Sequence, residues 1–409
     1  MSHLPDGSEP TPDEPGPTSD EPGPTSDEPG PTSDEPGPAS DEPGPTPDGP
    51  EPEKGTEHPP HGAHGRPPSG SERWAGFKQS PFFPATVLVL ILAAAAALFA
   101  GSYTYSMANP TPHHIPTGVT GEHDAARRSA FVGAMEKALD AQLDLKLYDS
   151  PRAAREALDA QKIYAVFDVR DNGARVRLDV SGASGVTVAQ VFAEAAPPVS
   201  KATGIPVTVK DVNPLQGGDP RGLTIFYITL AAVIIGFVGA IQLSVHARGL
   251  NPAERIAFTI AYALLGGFAV AAVADWGLGA VDLPFVESWL ILALTMFTCG
   301  MVFTMFNTFF HRWAMIPTWG LLVLLGNPAS GGAVAPPLLP TFIGRLGQWL
   351  PPGASYNAQH TAVYFQGNQH AFPFLVLAGW SLVSCALFWF WRHRHPGGRG
   401  TGPLHAAPV

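Results

Sequence analysis

Apolar and polar positions along the chain fall into two kinds of pattern. Long apolar runs occupy 84–107, 223–245, 256–274, 286–309, 314–326 and 372–391. Between the first and the second, over 108–221, apolar residues recur at the short periods of strands and amphipathic helices. A run of about 20 apolar residues matches the thickness of a bilayer. The pattern predicts a polytopic α-helical membrane protein with about six transmembrane helices, the first within 81–107 and the other five within 222–392. The fifth run is short and holds Pro317. Some 80 residues precede the first run, more than the basic leader of a cleaved signal, so it reads as an uncleaved helix.

The region 108–221 reads as an α/β domain between helices 1 and 2. "HHIPTGVTG" (113–121) is strand-like. In 125–142, Phe131, Met135, Leu139 and then Leu143 follow helical spacing. "LDLKLYDS" (143–150) alternates with period two, and 151–161 has Ser150 as N-cap with Pro151 at the first helical position. "KIYAVFDV" (162–169) and "ARVRLDVSG" (174–182) form a hairpin around Asp171-Asn172-Gly173. A helix at 187–203 and a strand at 206–212 complete a domain built twice as β-α-β, large enough for its own core.

Charge changes the picture at the N-terminus. Residues 1–70 hold 16 acids against Lys54 and Arg66, which leaves 19 of the 35 acids and 22 of the 24 bases for the rest. The formal charge of −11 therefore belongs to the tail, and the remainder is close to neutral. From Thr11 the tail repeats units such as "TSDEPGP". The period is seven, but each unit has at least two prolines and no apolar seam, so no coiled coil forms. Residues 1–72 are expected to be disordered, because they bury too little surface to offset ordering entropy. They serve as a solvated tail or as a spacer that docks a basic partner. Lys and Arg near the spans set orientation. With the N-terminus inside, Arg73, Lys78, Arg248, Arg255, Arg312, Arg392, Arg394 and Arg399 are cytoplasmic, while the outer loops 275–285 and 327–371 hold only Arg345. Both termini, including 393–409, are expected in the cytoplasm of a multi-pass cell-membrane protein, and 108–221 outside it.

Candidate chemistry is sparse. There is no Ser/His/Asp spacing, HExxH or Cys/His cluster, so the chain does not read as an enzyme and no cofactor is implied. Cys299 and Cys385 sit in apolar runs as small hydrophobes. Adjacent His113 and His114 on a strand face opposite ways and cannot easily share a metal. His58, His61 and His64 have no acid or cysteine to complete a metal site. The cores of the spans carry no Asp, Glu, Lys or Arg, and no GxxxxGK[ST] loop is present. Transport, if any, takes its energy from elsewhere. Nothing in the pattern points to nucleic acid.

Residues 326–357, "GNPASGGAVAPPLLPTFIGRLGQWLPPGASYN", are too rich in proline and glycine for a membrane helix and too apolar for an ordinary loop. Unpaired backbone facing lipid is prohibitive. Leu338, Leu339, Phe342, Ile343, Leu346, Trp349 and Leu350 form one helical stripe, with Arg345 and Gln348 off it. The segment 327–352 is expected to be a re-entrant or interfacial element, carried by Pro328, Ser330, Gly331, Pro340, Phe342, Trp349 and Pro351, with an outer loop bearing an apolar cap as the alternative.

The short fifth span, "GNPASGG", "PPLLPTF", "WLPPGASY" and "YFQG", with "NPTPHHIPTGVTG" (109–121) and "DVNPLQGGDPRGLTIFY" (211–227), resembles type-2 ABC transporter permeases, most closely the YhgE/Pip branch. The resemblance covers about 80–392. It implies a permease half that dimerises, as homodimer or heterodimer, in membrane lipid and docks a separate ATPase. The second-to-third-span connection, "SVHARGLNPAERI" (244–256), is then the docking loop, with Arg248, Asn251, Glu254 and Arg255 as candidates and Asn251 as N-cap before Pro252. Two roles compete: a permease subunit exporting a hydrophobic or amphipathic substrate, and a non-transporting scaffold or secretion-accessory protein that presents the α/β domain.

Overall fold

The computed structural model describes residues 71, 74, 78–80, 82–107, 112–121, 125–171 and 174–394. The acidic repeats, His58, His61, His64, Arg73, Asn172, Gly173 and everything from 395 onward lie outside the described residues.

The α/β domain has the elements its periodicity predicts. β1 (Ile115–Gly121), α2 (Ala125–Leu139), β2 (Leu143–Leu147), α3 (Pro151–Asp159), β3 (Ala165–Arg170), β4 (Arg175–Val180), α4 (Val186–Thr203) and β5 (Val207–Asp211) follow α1 (Phe82–Met107). One five-stranded sheet runs β2-β1-β3-β4-β5. β1 pairs in parallel with β2 and β3, β3 antiparallel with β4, and β4 parallel with β5. Phe131, Phe167 and Phe192 stack edge to face in its core. Ser150 caps α3 as expected, its side chain accepting the Ala153 N–H at 3.2 Å.

Five helices among the described residues are long and apolar enough to cross a membrane. They are α1, α5 (Thr224–His246), α6 (Pro252–Ala272, prolonged by a π-helical turn to Gly277), α7 (Phe285–Phe310) and α11 (Ala371–Arg394). The expected fifth span is shorter: α8 (Met315–Trp319) continues as π-helix to Gly326, and the two together fall below spanning length. Pro317 sits inside it and the wide π turns end at Gly326, just before Pro328.

The segment 327–371 holds two further helices, α9 (Thr341–Gly347) and α10 (Pro351–Tyr364). α10 is almost wholly buried and packs against α5, α7 and α11. It corrects the reading of 327–371 as an outer loop. The single stripe over 338–350 is corrected too. The stripe is split between a 3-10 turn at Pro336–Leu338, α9 that begins after Pro340, and α10 that begins at Pro351, so Leu338, Leu339 and Leu350 are buried whereas Phe342 and Trp349 are 75% and 62% exposed.

α1 stands at the side of the bundle, its side chains almost all directed outward. Ser102 Oγ donates to the Leu324 carbonyl at 2.5 Å, and the Asn327 amide donates to the Tyr103 hydroxyl at 2.8 Å. Inside the bundle, hydroxyls pair across helices: Thr295 with Ser355 at 2.5 Å and Thr298 with Ser381 at 2.7 Å.

Candidate functional site

Glycine decides how the segment 327–353 folds. A Cβ on Gly347 would overlap the Ala329 carbonyl, and one on Gly353 would overlap the Gly347 carbonyl. Gly331 has φ +84°, a left-handed conformation that costs glycine little. Backbone therefore lies directly on backbone, and 328–353 folds into a compact plug. Pro328 and Ser330 are buried inside it, Gly331 makes its turn, Pro340 precedes α9, and Pro351 is the first residue of α10. Phe342 and Trp349 project outward; Trp349 meets Phe372 edge to face, with ring centroids 5.0 Å apart.

The plug is shared with the α/β domain. Val334, Ala335, Leu338 and Leu339 are buried in the same cluster as Phe131, Phe167 and Phe192. The His113 N–H donates to the Pro337 carbonyl at 2.9 Å, and Gln161 Nε2 donates to Thr361 Oγ1 at 2.9 Å. In the chain leading from the domain to α5, Gln216 Oε1 accepts the Asp282 N–H at 2.7 Å. Asp219 caps α5, its two carboxylate oxygens accepting the Leu223 and Thr224 N–H groups at 3.0 and 3.1 Å.

Between plug, domain and α10 lies a cavity of about 250 Å³. Its walls come from the turn at Ser184 and Gly185, from Ser330 to Ala333, and from Tyr164, Tyr356 and His360. The turn is set by Asp211, which accepts the Gly182 N–H at 3.0 Å, and by the Ser181–Ser184 hydroxyl pair at 2.6 Å. Burial lowers the His360 imidazole to about 4, against smaller upward effects of the Ala183 backbone and Asp219, so it is neutral at pH 7. Burial pushes the Tyr164 phenol up to about 12. The lining thus offers neutral donors and acceptors on aromatic walls, a surface suited to an uncharged or amphipathic molecule. Beside it, Gln359 is fully buried and neither end of its amide has a hydrogen-bond partner.

The turn after α5 has another geometry. Asn251 caps α6: its side chain accepts the Glu254 N–H at 2.9 Å, and Glu254 Oε2 accepts the Asn251 N–H at 2.9 Å. This reciprocal capping box occupies both residues structurally. Arg248, Asn251 and Glu254 are exposed. Arg255 is not, which corrects its place on a docking surface: at 8% exposure it turns back into the bundle toward Ser244.

The sequence named Ser330 and Gly331 only as part of a re-entrant or interfacial element; the structure places both at the cavity, together with Tyr164, Ser184, Tyr356 and His360, which the sequence reading did not name. The available signal was Pro351-Pro352, a helix start, followed by Ala354, Ala358, Ala362 and Phe365 near helical spacing. Among the described residues no group of three or more His, Cys, Asp or Glu side chains could hold a metal. No family model, curated protein or solved structure matches the chain.

Proposed function

We propose that the chain is the permease subunit of a type-2 ABC-like exporter in the cell membrane, moving a hydrophobic or amphipathic substrate with energy from a separate ATPase. The observation that carries this reading is the plug. It is a non-spanning element packed into one end of the bundle, backed by a cavity with aromatic walls and locked into the core of the α/β domain. An element of this kind can gate a path only if it moves with the domain, and the shared core couples the two. The resemblance to the YhgE/Pip branch points the same way. Arg248, Arg255, Arg312, Arg392 and Arg394 lie at chain positions remote from the α/β domain, which supports a cytoplasmic location for that end and for both termini. The α/β domain is then extracytoplasmic, and α8 with its π-helical extension stands in for a short fifth span.

The same shared core also favours a second reading, a scaffold that presents the α/β domain rigidly to a surface partner. Gentle purification from the native membrane separates the two. On the permease reading, an ATPase with a phosphate-binding loop co-purifies with the protein. Ala253→Trp, at an exposed position that leaves the capping box intact, should remove the ATPase without unfolding the chain. Full recovery without any ATPase would leave the scaffold.

A further inference from the structure

Where α5, α6, α7 and α11 meet at the end remote from the α/β domain, they enclose a second cavity of about 320 Å³. Arg248, Arg255, Arg392, His311, Asn307 and Thr304 line it, and no carboxylate is among the described residues of the lining. Arg255 is buried. Its two terminal nitrogens donate to Ser244 Oγ at 2.8 Å and to the Ala247 carbonyl at 3.3 Å, both neutral acceptors. No ion pair among the described residues involves Arg248 or Arg255. Glu254, the acid next to Arg255 in the chain, points to the surface and is held by the Asn251 N–H.

A buried guanidinium without counter-charge is costly. The C-terminal ends of α5, α7 and α11 lie close by, but partial charges of that size do not replace a carboxylate for the buried Arg255 guanidinium, which also has Arg248 beside it. Arginine presents a planar fork that matches two oxygens of a phosphate. Asn307 adds an amide, and His311, held at φ +52° where α7 ends, adds an imidazole. Phe388 and Trp391 form an apolar wall beside these groups.

We propose that this cavity is an oxyanion site that takes a phosphate group, from an anionic lipid headgroup or from free phosphate. The site does not rest on the export reading, and it stands whether or not an ATPase co-purifies. The full chain in detergent is titrated in separate arms with phosphatidylglycerol, phosphatidylcholine and inorganic phosphate. Retained ligand is counted by native mass spectrometry, and thermal unfolding is followed in parallel. Phosphatidylglycerol, inorganic phosphate or both should be retained and raise the unfolding temperature, while phosphatidylcholine should do neither. Phosphatidylglycerol acting alone assigns the phosphate to a headgroup, and inorganic phosphate acting alone assigns it to a soluble anion. Arg255→Gln should weaken the retained ligand by at least about tenfold. Arg248→Gln, at an exposed position, should weaken it severalfold and leave the unfolding temperature of the ligand-free chain unchanged; Glu254→Gln should not weaken it. Equal retention of the two lipids with no effect of phosphate overturns the proposal. So does undiminished binding by folded Arg248→Gln and Arg255→Gln proteins.

Discussion

At the end of the bundle joined to the α/β domain, Gly347 rests on the Ala329 carbonyl, Gly353 rests on Gly347, and leucines of the plug sit among the phenylalanines of the sheet domain. At the other end, Arg248, Arg255 and Arg392 line a polar cavity, and no carboxylate is among the described residues that line it. One end is held by close approach of backbones and apolar burial, which tolerate no added atom. The other keeps one buried guanidinium, that of Arg255, against neutral acceptors at the edge of open space. Packing of the first kind is rigid and has little chemical preference. An arrangement of the second kind costs stability unless something binds, and so the two ends should respond oppositely to substitution and to ligands.

The sharpest way to break the plug is one methyl group. In Gly347→Ala the new Cβ has no space against the Ala329 carbonyl, and main chain cannot give way as a flexible side chain would. α9 must lift from the segment at 328–330, exposing Leu338 and Leu339. The expected loss is large, above about 4 kcal/mol, at the diagnostic end of single-substitution effects. Size-exclusion chromatography and thermal unfolding in detergent should show little folded protein. A native-like profile for Gly347→Ala would mean that the two backbones are not in contact.

A second pair of substitutions asks whether the plug belongs to the domain or only lies beside it. Leu338→Ala removes a side chain that is 1% exposed within the shared cluster and should cost about 2–5 kcal/mol. Phe342→Ala, a larger deletion only four residues away, removes a side chain that is 75% exposed and should cost within about 0.5 kcal/mol. Hydrogen exchange reads the coupling directly. Leu338→Ala should loosen β1 and α2 of the sheet domain as well as α9, whereas Phe342→Ala should loosen neither. Equal effects from both would restore the surface stripe and separate the plug from the domain.

That contrast also marks how far the sequence was legible. The α/β domain could be read because each of its elements has a local signature: period two in "LDLKL", Ser150 before Pro151, Phe131 to Leu139 at helical spacing. The five long spans could be read because length and hydropathy suffice. α10 escaped because small and polar residues (Ala354, Ser355, Ala358, Thr361) bury it, so its hydropathy is that of a loop while its packing is that of a core helix. The site escaped for another reason. Ser184, Ser330 and His360 meet only through the shared core, and Arg255 is buried only because Ser244 accepts from it across the turn. No local pattern records contacts of that range.

A smaller effect than the loss at Leu338 tests the electrical character of the cavity beneath the plug. His360 is 6% exposed and its pKa is lowered to about 4, so in the folded chain it resists protonation that the unfolded chain accepts near 6.5. Asp219, the charged group acting on it, and the Ala183 backbone both pull upward, but burial outweighs them. A depressed histidine contributes no penalty above the unfolded value. As pH falls from 6.5 toward 4 the unfolded state binds the extra proton, and stability is lost over that window. Between about pH 7.5 and about pH 5.5 this single group should cost about 1.4 kcal/mol. His360→Gln, which has the hydrogen-bonding groups but does not titrate, should remove that part of the slope while the contribution of other groups remains. If the native and substituted chains lose stability in parallel on acidification, His360 is already open to water and the cavity is not the dry, uncharged space that an amphipathic molecule would enter.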